Sequence, residues 1–434
     1  MRRFYALPLL LIALLMPTGT WADDLKRWDV FEVDGITYMV ANTNPLEVYV
    51  GRSRVIETVE SIEFYDKIPT YGAVTEDVTG PIVIPSNVLA PDGKSYTVTQ
   101  ISQEAFSNRT GITSVSIPNT VTIIGMRSFY NCKGLTSITI PSSVVKIENL
   151  AFQVCGLTSI IFENTSPIYI GDKYGGAFNA CVNLTSVYVN DLAAWCSSTF
   201  EGGDSYPIYW AGSLEGKRTH FYVNGEEVTN LIIPDGLSTI GSGVFTGDTG
   251  IFSITIPKSV TSINRGAFYG CSGVTQITSL IEEPFALEVA VFKDISEDVI
   301  LYVPVGTKSK YEATDGWKNF KNIVEMEPIK VGDTFTTNGI TYKVTSTSPM
   351  EVQVGTGEDT KTAINKDTEG SLKIPASVVG TDGNKYSVTT IGRSAFYECS
   401  KITDIDIPNS VISIGEYNQE IKGETNVEII PVSA

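Results

Sequence analysis

The chain has 434 residues, a formal net charge of −18, six cysteines and one histidine. An acidic chain of this kind offers no basic surface to nucleic acid or to an anionic membrane. With His220 as the lone histidine and no C-x-x-C pair, no metal or cofactor is expected.

The N-terminus reads MRRFYALPLLLIALLMPTGTWADD. Arg2 and Arg3 precede an apolar run from Leu7 to Met16, and Thr20-Trp21-Ala22 suits a cleavage site. Residues 1–22 are therefore expected to be a signal peptide cut after Ala22, too short to span a membrane. No cysteine follows the apolar run, so a lipoprotein anchor is not expected, and no later segment has the length of a membrane span.

Residues 23–100 read as a β-rich leading module. Its segment FEVDGITYMVANTNPLEVYVG (Phe31–Gly51) returns as FTTNGITYKVTSTSPMEVQVG (Phe335–Gly355), displaced by 304 positions. Each copy runs on to a strand ending in proline and to an Asp-Gly hairpin turn, Asp92-Gly93 and Asp382-Gly383. Each module is expected to cover the first exposed edge of the β-rich segment after it.

From residue 101 a shorter period takes over. In Ile112–Gly156, Pro118 meets Pro141, Phe129 meets Phe152 and Cys132 meets Cys155, each pair 23 apart. A fixed period of this size marks a stack of coils, each unable to bury its apolar face alone. In one unit, LTSITIP reads as a strand ended by Pro141, SSVVKI as a second short strand, and AFQVC as an irregular or single-turn helical segment. Adjacent coils would lie about 4.8 Å apart, with Ile over Ile and Phe over Phe. The expected fold is mainly β, a solenoid of two short strands per coil with little helix. Thr113, Thr136, Thr158 and Thr185 would form outward ladders.

The phrases SIPNTVTIIGMRSF, SITIPSSVVKIENLAF and SITIPKSVTSINRGAF resemble the BspA-type leucine-rich repeats of bacterial secreted and surface proteins. The likeness combines the period, the I-P turn and the A-F-x-x-C segment. It implies a leucine-rich-repeat solenoid outside the cytoplasm and, for some members, adhesion to host proteins or other cells.

Five of the six cysteines (132, 155, 181, 271 and 399) follow a phenylalanine by three positions. A cysteine recurring at one inward position behaves as a small buried hydrophobe. Core thiols are expected, and disulfides are the alternative in an exported chain.

The solenoid is assigned to 101–326, with an insertion at 190–230 and a closing segment at 301–326. In the insertion Asn190 can cap a short helix, DLAAWCS. Tyr206, Tyr209 and Trp210 cluster beside glycines there. Exposed rings at these places could stack on a sugar or anchor a protein, and they could equally pack the insertion onto the coils. In the closing segment Trp317, Phe320 and Ile323 would cover the last coil. Residues 327–434 form the second module and a short, incomplete repeat segment. The repeat breaks where a phenylalanine would fall, at Gln419, and the tail from Gly415 is expected to be partly disordered or used in contact.

No nucleophile has a base beside it in sequence, His220 reads as a hairpin residue, and Glu226-Glu227 and Glu282-Glu283 read as solvated loops. The expected function is a non-catalytic protein-binding or adhesion scaffold at the surface or in the medium, with a host or bacterial surface protein as partner. A glycan-binding protein using the insertion aromatics is the first alternative, and an enzyme with an unrecognised carboxylate site the second.

Overall fold

A computed structural model describes residues 24–51, 72–172, 175–202, 205–212, 218–337 and 339–415. The segment read as a signal peptide and the tail after Gly415 lie outside the described residues. The chain divides into two compact units, one running to Trp195 and taking in Thr199–Leu214, the other comprising Cys196–Ser198 and everything from Glu215.

The first unit is a β-solenoid. In one coil the strand Ser137–Ile140 turns Ile138 and Ile140 inward, and Pro141 ends it by closing a turn in which the Val144 amide donates to the Pro141 carbonyl at 3.1 Å. Lys146–Ile147 forms the second strand. The strand expected from Leu135 begins only at Ser137. Leu135 drops into the core ahead of the strand while Thr136 stays exposed. Neighbouring coils pair in parallel, with Ile138 opposite Ile160 and Ile147 opposite both Ile124 and Ile170.

The A-F-x-x-C segment is a run of turns, not a helix. Residues two before and two after the phenylalanine take a left-handed conformation in successive coils: Glu104 and Asn108 around Phe106, Arg127 and Asn131 around Phe129, Leu150 and Val154 around Phe152. This alternation of backbone hand points every second amide along the stack. The amides of Arg127, Phe129 and Asn131 donate to Asn149, Ala151 and Gln153 in the next coil at 3.3, 2.8 and 2.8 Å. The phenylalanine rings stack in the same direction, with Phe106, Phe129, Phe152 and Phe178 at centroid spacings of 5.1, 5.2 and 5.3 Å and nearly parallel planes.

The left-handed conformation is strained for a β-branched residue. Val154 adopts it at φ 59°, where the two preceding coils carry Asn108 and Asn131 and the next carries Ala180. We expect Val154→Asn to raise the unfolding free energy by about 1 kcal/mol, read as a higher urea midpoint at unchanged slope. An unchanged or lower midpoint would show that the side chain's packing outweighs the backbone strain.

The leading module feeds straight into this stack. Three antiparallel strands, Val30–Val33, Ile36–Thr43 and Leu46–Val50, are followed by Ser95–Ile101, which pairs in parallel with Leu46–Val50 and, at Gln100 and Ile101, with Ile123 and Ile124 of the first coil. The module thus gives the first coil a paired edge.

The second unit repeats the scheme. Asn230–Ile232, Ser253–Ile256, Gln276–Ser279, Ile300–Val303 and Asn322–Glu325 form a parallel sheet, and Phe245, Phe268 and Phe292 stack at 5.5 and 5.4 Å. The segment around Trp317 packs against the last phenylalanine of the column. Trp317 and Phe320 each meet Phe292 at 5.5 Å, and Trp317, Phe320 and Ile323 are all buried. The second module then reproduces the first down to its irregularities: Phe335 faces Tyr342 as Phe31 faces Tyr38, and the bulge between Val40 and Asn42 reappears between Val344 and Ser346. It has its own core, built on Phe335, Tyr342, Val352, Tyr386, Val388 and Phe396.

Candidate recognition surface

The insertion aromatics are placed by two short helices in the first unit. Leu192–Cys196 is capped by Asp191, whose Oδ1 accepts the Ala194 amide at 2.9 Å, so the capping side chain is Asp191 and not the expected Asn190. Tyr209–Gly212 forms the other helix. Between them Tyr206 is only 1% exposed, with its ring 6.0 Å from Trp195 and 5.7 Å from Phe200. Trp195 also meets Phe162 at 5.0 Å, tying the insertion to the stack. Of the two readings open for Tyr206, exposure and packing, its burial fits packing. Its aromatic neighbours bury more of its surface than a loop position could leave open. Tyr209 and Trp210 are half-buried and pack edge to face at 5.8 Å, so any ligand contact in this region falls to them.

The cysteines are structural. All six are free thiols and buried. Four donate along the stack to the carbonyl of the preceding coil's phenylalanine: Cys132 to Phe106, Cys155 to Phe129, Cys181 to Phe152 and Cys271 to Phe245, at 2.9–3.1 Å. A thiol at this place fills the core and gives its proton to a carbonyl. Burial pushes the Cys181 thiol up to about 12 and raises those of Cys155 and Cys271 well above the usual range, which suits packing rather than nucleophilic attack.

His220 sits on a hairpin with Glu227, its Nδ1 2.8 Å from Glu227 Oε1, and Arg218 shares that carboxylate at 3.1 Å. Glu226 and Glu227 lie on the exposed strand of that hairpin, and Glu283 is exposed and paired with Lys310. The threonine ladders do face outward, with Thr113, Thr136 and Thr158 exposed and Thr185 half-buried. Their hydroxyls are partly engaged: Thr158 Oγ1 donates to the Thr136 carbonyl at 3.2 Å and Thr275 Oγ1 to the Phe252 carbonyl at 3.2 Å.

Two features escaped the sequence reading. One is a row of amides, with Asn131 Nδ2 2.9 Å from Asn108 Oδ1 and Gln153 Nε2 3.0 Å from Asn179 Oδ1. The signal was present as polar residues one or two places after successive phenylalanines. The other is a rung across the second unit's sheet. Ile232, Thr255, Thr278, Tyr302 and Val324 stand opposite one another on five adjacent strands, and their inward neighbours Leu231, Ile254, Ile277, Leu301 and Ile323 form the core. Ile232 and Val324 are each 42% exposed. At about 4.8 Å per strand the rung is roughly 19 Å long. Beside it, a cleft of about 890 Å³ is lined by the turn prolines Pro234, Pro257 and Pro304 together with Val305, Met350 and Tyr386.

The family model for the BspA-type leucine-rich-repeat region matches six copies, over residues 99–207, 217–302 and 384–429, more than half of the chain. The chain belongs to the BspA-type leucine-rich-repeat family. The BspA-type matches break over 208–216, inside the insertion, and over 303–383, through the closing segment and most of the second module. Among solved structures it is similar to a leucine-rich cell surface protein of Faecalibacterium prausnitzii A2-165 (20% identity, 91% of this chain and 74% of that one, TM-score 0.37). It is also similar to a leucine-rich-repeat protein of T. pallidum (18% identity, 62% and 92%, TM-score 0.33). A third is a leucine-rich-repeat protein of Bacteroides ovatus (17% identity, 89% and 90%, TM-score 0.23). No curated protein matches the chain. Among the described residues, no helix is long and apolar enough to cross a membrane.

Proposed function

We propose that this BspA-type chain is exported and acts as a non-catalytic scaffold that binds a protein on a host or bacterial surface. The rung Ile232–Thr255–Thr278–Tyr302–Val324 carries this reading. It joins the exposed Ile232 and Val324 to the half-buried Thr255 and Tyr302 on a rigid sheet, with Thr278 buried between them, and Tyr302 is of the residue type that interfaces enrich. The N-terminal pattern supports export, and the acidic charge favours a partner other than nucleic acid or an anionic membrane. Buried, protonated thiols and a histidine held by Glu227 support a role outside catalysis.

The test is binding of the mature chain to arrays of extracellular-matrix proteins and of glycans. Saturable matrix-protein binding is expected, weakened at least about tenfold by Tyr302→Glu with Val324→Glu, since two charges placed on the contact face cost more than about 1.4 kcal/mol. Binding confined to glycans and abolished by Tyr209→Ala with Trp210→Ala would instead move the site to the insertion. Silence on both arrays would count against both readings.

A further inference from the structure

Three coils place something other than a cysteine three positions after their phenylalanine: Arg109, Asp248 and Ile295. Asp248, three places after Phe245, is the acid among them and is fully buried where five coils place a cysteine. Its Oδ1 accepts the Thr219 hydroxyl at 3.1 Å and the Gly250 amide at 2.9 Å, while Oδ2 is buried without a hydrogen-bond partner.

The element before Asp248 along the stack is not an ordinary coil but the hairpin of His220–Val223 and Glu226–Glu227. Phe221 meets Phe245 edge-on at 5.5 Å, where a preceding coil would supply a stacked ring. Thr219 and Thr249 bond reciprocally, each amide to the other's hydroxyl, at 3.1 and 2.8 Å. Asp248 therefore closes the join between the hairpin and the first coil of the second unit. A thiol in this column is neutral, whereas an ionised carboxyl here is a buried charge with no counter-ion beside it among the described residues.

We propose that Asp248 is a protonation latch: its neutral form holds the hairpin spanning residues 218–229 against the coil, and its ionised form loosens that join. The groups facing it are Thr219 and His220 from the hairpin, with Arg218 and Glu227 paired around His220, and Cys271 from the next coil, whose thiol already donates to Phe245. Among the described residues no cation pairs with the carboxyl, and the His220 ring is engaged by Glu227. Burial pushes Asp248 up to about 6, opposed by the Gly250, Thr219 and Ile251 donors and by His220. The folded pKa is thus raised, so the stabilisation is full at low pH and is lost as pH rises through about 6.

Hydrogen exchange of the full chain tests this, read on peptides covering 218–229 at about pH 5 and about pH 7.5 and corrected for intrinsic rates. Linkage between a carboxyl near 6 in the closed state and an ordinary one in the open state predicts about tenfold more opening at the higher pH. Asp248→Asn and Asp248→Cys should flatten the profile, the cysteine being the residue this column already accommodates. His220→Gln should leave the profile in place. A flat wild-type profile would overturn the latch, as would a slope that survives in either Asp248 variant or disappears with His220→Gln alone.

Discussion

Phe152→Ala is expected to lower the unfolding free energy by about 3–5 kcal/mol, toward the upper end for a buried aromatic. The ring is fully buried and lies between Phe129 at 5.2 Å and Phe178 at 5.3 Å. Removing it opens a void in the middle of the column. The neighbours cannot close that void cheaply, because backbone bonds fix the coil spacing: Phe129 N to Ala151 O and Phe152 N to Ala177 O, both 2.8 Å. In a stack where each coil touches only the next, the loss falls on two interfaces at once. Urea denaturation followed by circular dichroism gives the number. Tyr130→Ala, on a half-buried ring of the same coil run, is the control and should cost less than about 1 kcal/mol. A Phe152 variant as stable as that control would mean the column contributes little beyond filling space.

Trp317→Ala is expected to cost a similar ~3–5 kcal/mol and, in addition, to expose the end of a stack. Trp317 is fully buried against Phe292 and Tyr311, at 5.5 and 5.2 Å, and its Nε1 donates to the Phe285 carbonyl at 3.0 Å. Tyr311 in turn bonds Ser279 at 2.6 Å and the Ile281 carbonyl at 2.7 Å, so the closing segment is both an apolar lid and a hydrogen-bonded one. Without the indole, the Phe292 ring at the end of the column loses its cover, and an exposed apolar patch favours association. We expect greater binding of a hydrophobic dye and concentration-dependent oligomers by light scattering. Trp317→Phe keeps most of the lid and loses the bond to Phe285, for about 1–2 kcal/mol. If the alanine variant stays monomeric and dye-silent, the closing segment is not what protects this end.

The architecture was open to reading because a solenoid demands the same residue at the same phase of every coil. Pro118 and Pro141 end equivalent strands, Phe129 and Phe152 stack, and Cys132 and Cys155 give their protons to equivalent carbonyls, each for a reason that recurs with the coil. The duplicated module was equally plain, since Phe31–Gly51 and Phe335–Gly355 must make the same pairings. The turn segment was less so. Left-handed residues such as Arg127 and Leu150 carry no compositional mark, because the inter-coil bonds that hold them come from residues a full period away.

The candidate site was the least legible part. Tyr206 among glycines reads as a loop ring, and its burial depends on how the insertion folds back to bring Trp195 and Phe200 against it. Asp248 reads as a solvated acid until its phase is counted, and then it falls in the thiol column. The rung from Ile232 to Val324 spans almost a hundred residues and exists only because five strands pair in register.

By itself, then, the sequence determined the coil, its period, the duplicated module and the closing segment, since each is imposed by local pattern repeated along the chain. The tertiary structure alone decided which aromatic rings are covered, which carboxyl is starved of water and which side chains share a face. Those properties depend on what stands one coil away, and neighbours across a stack are joined by backbone pairing, whatever side chains they carry.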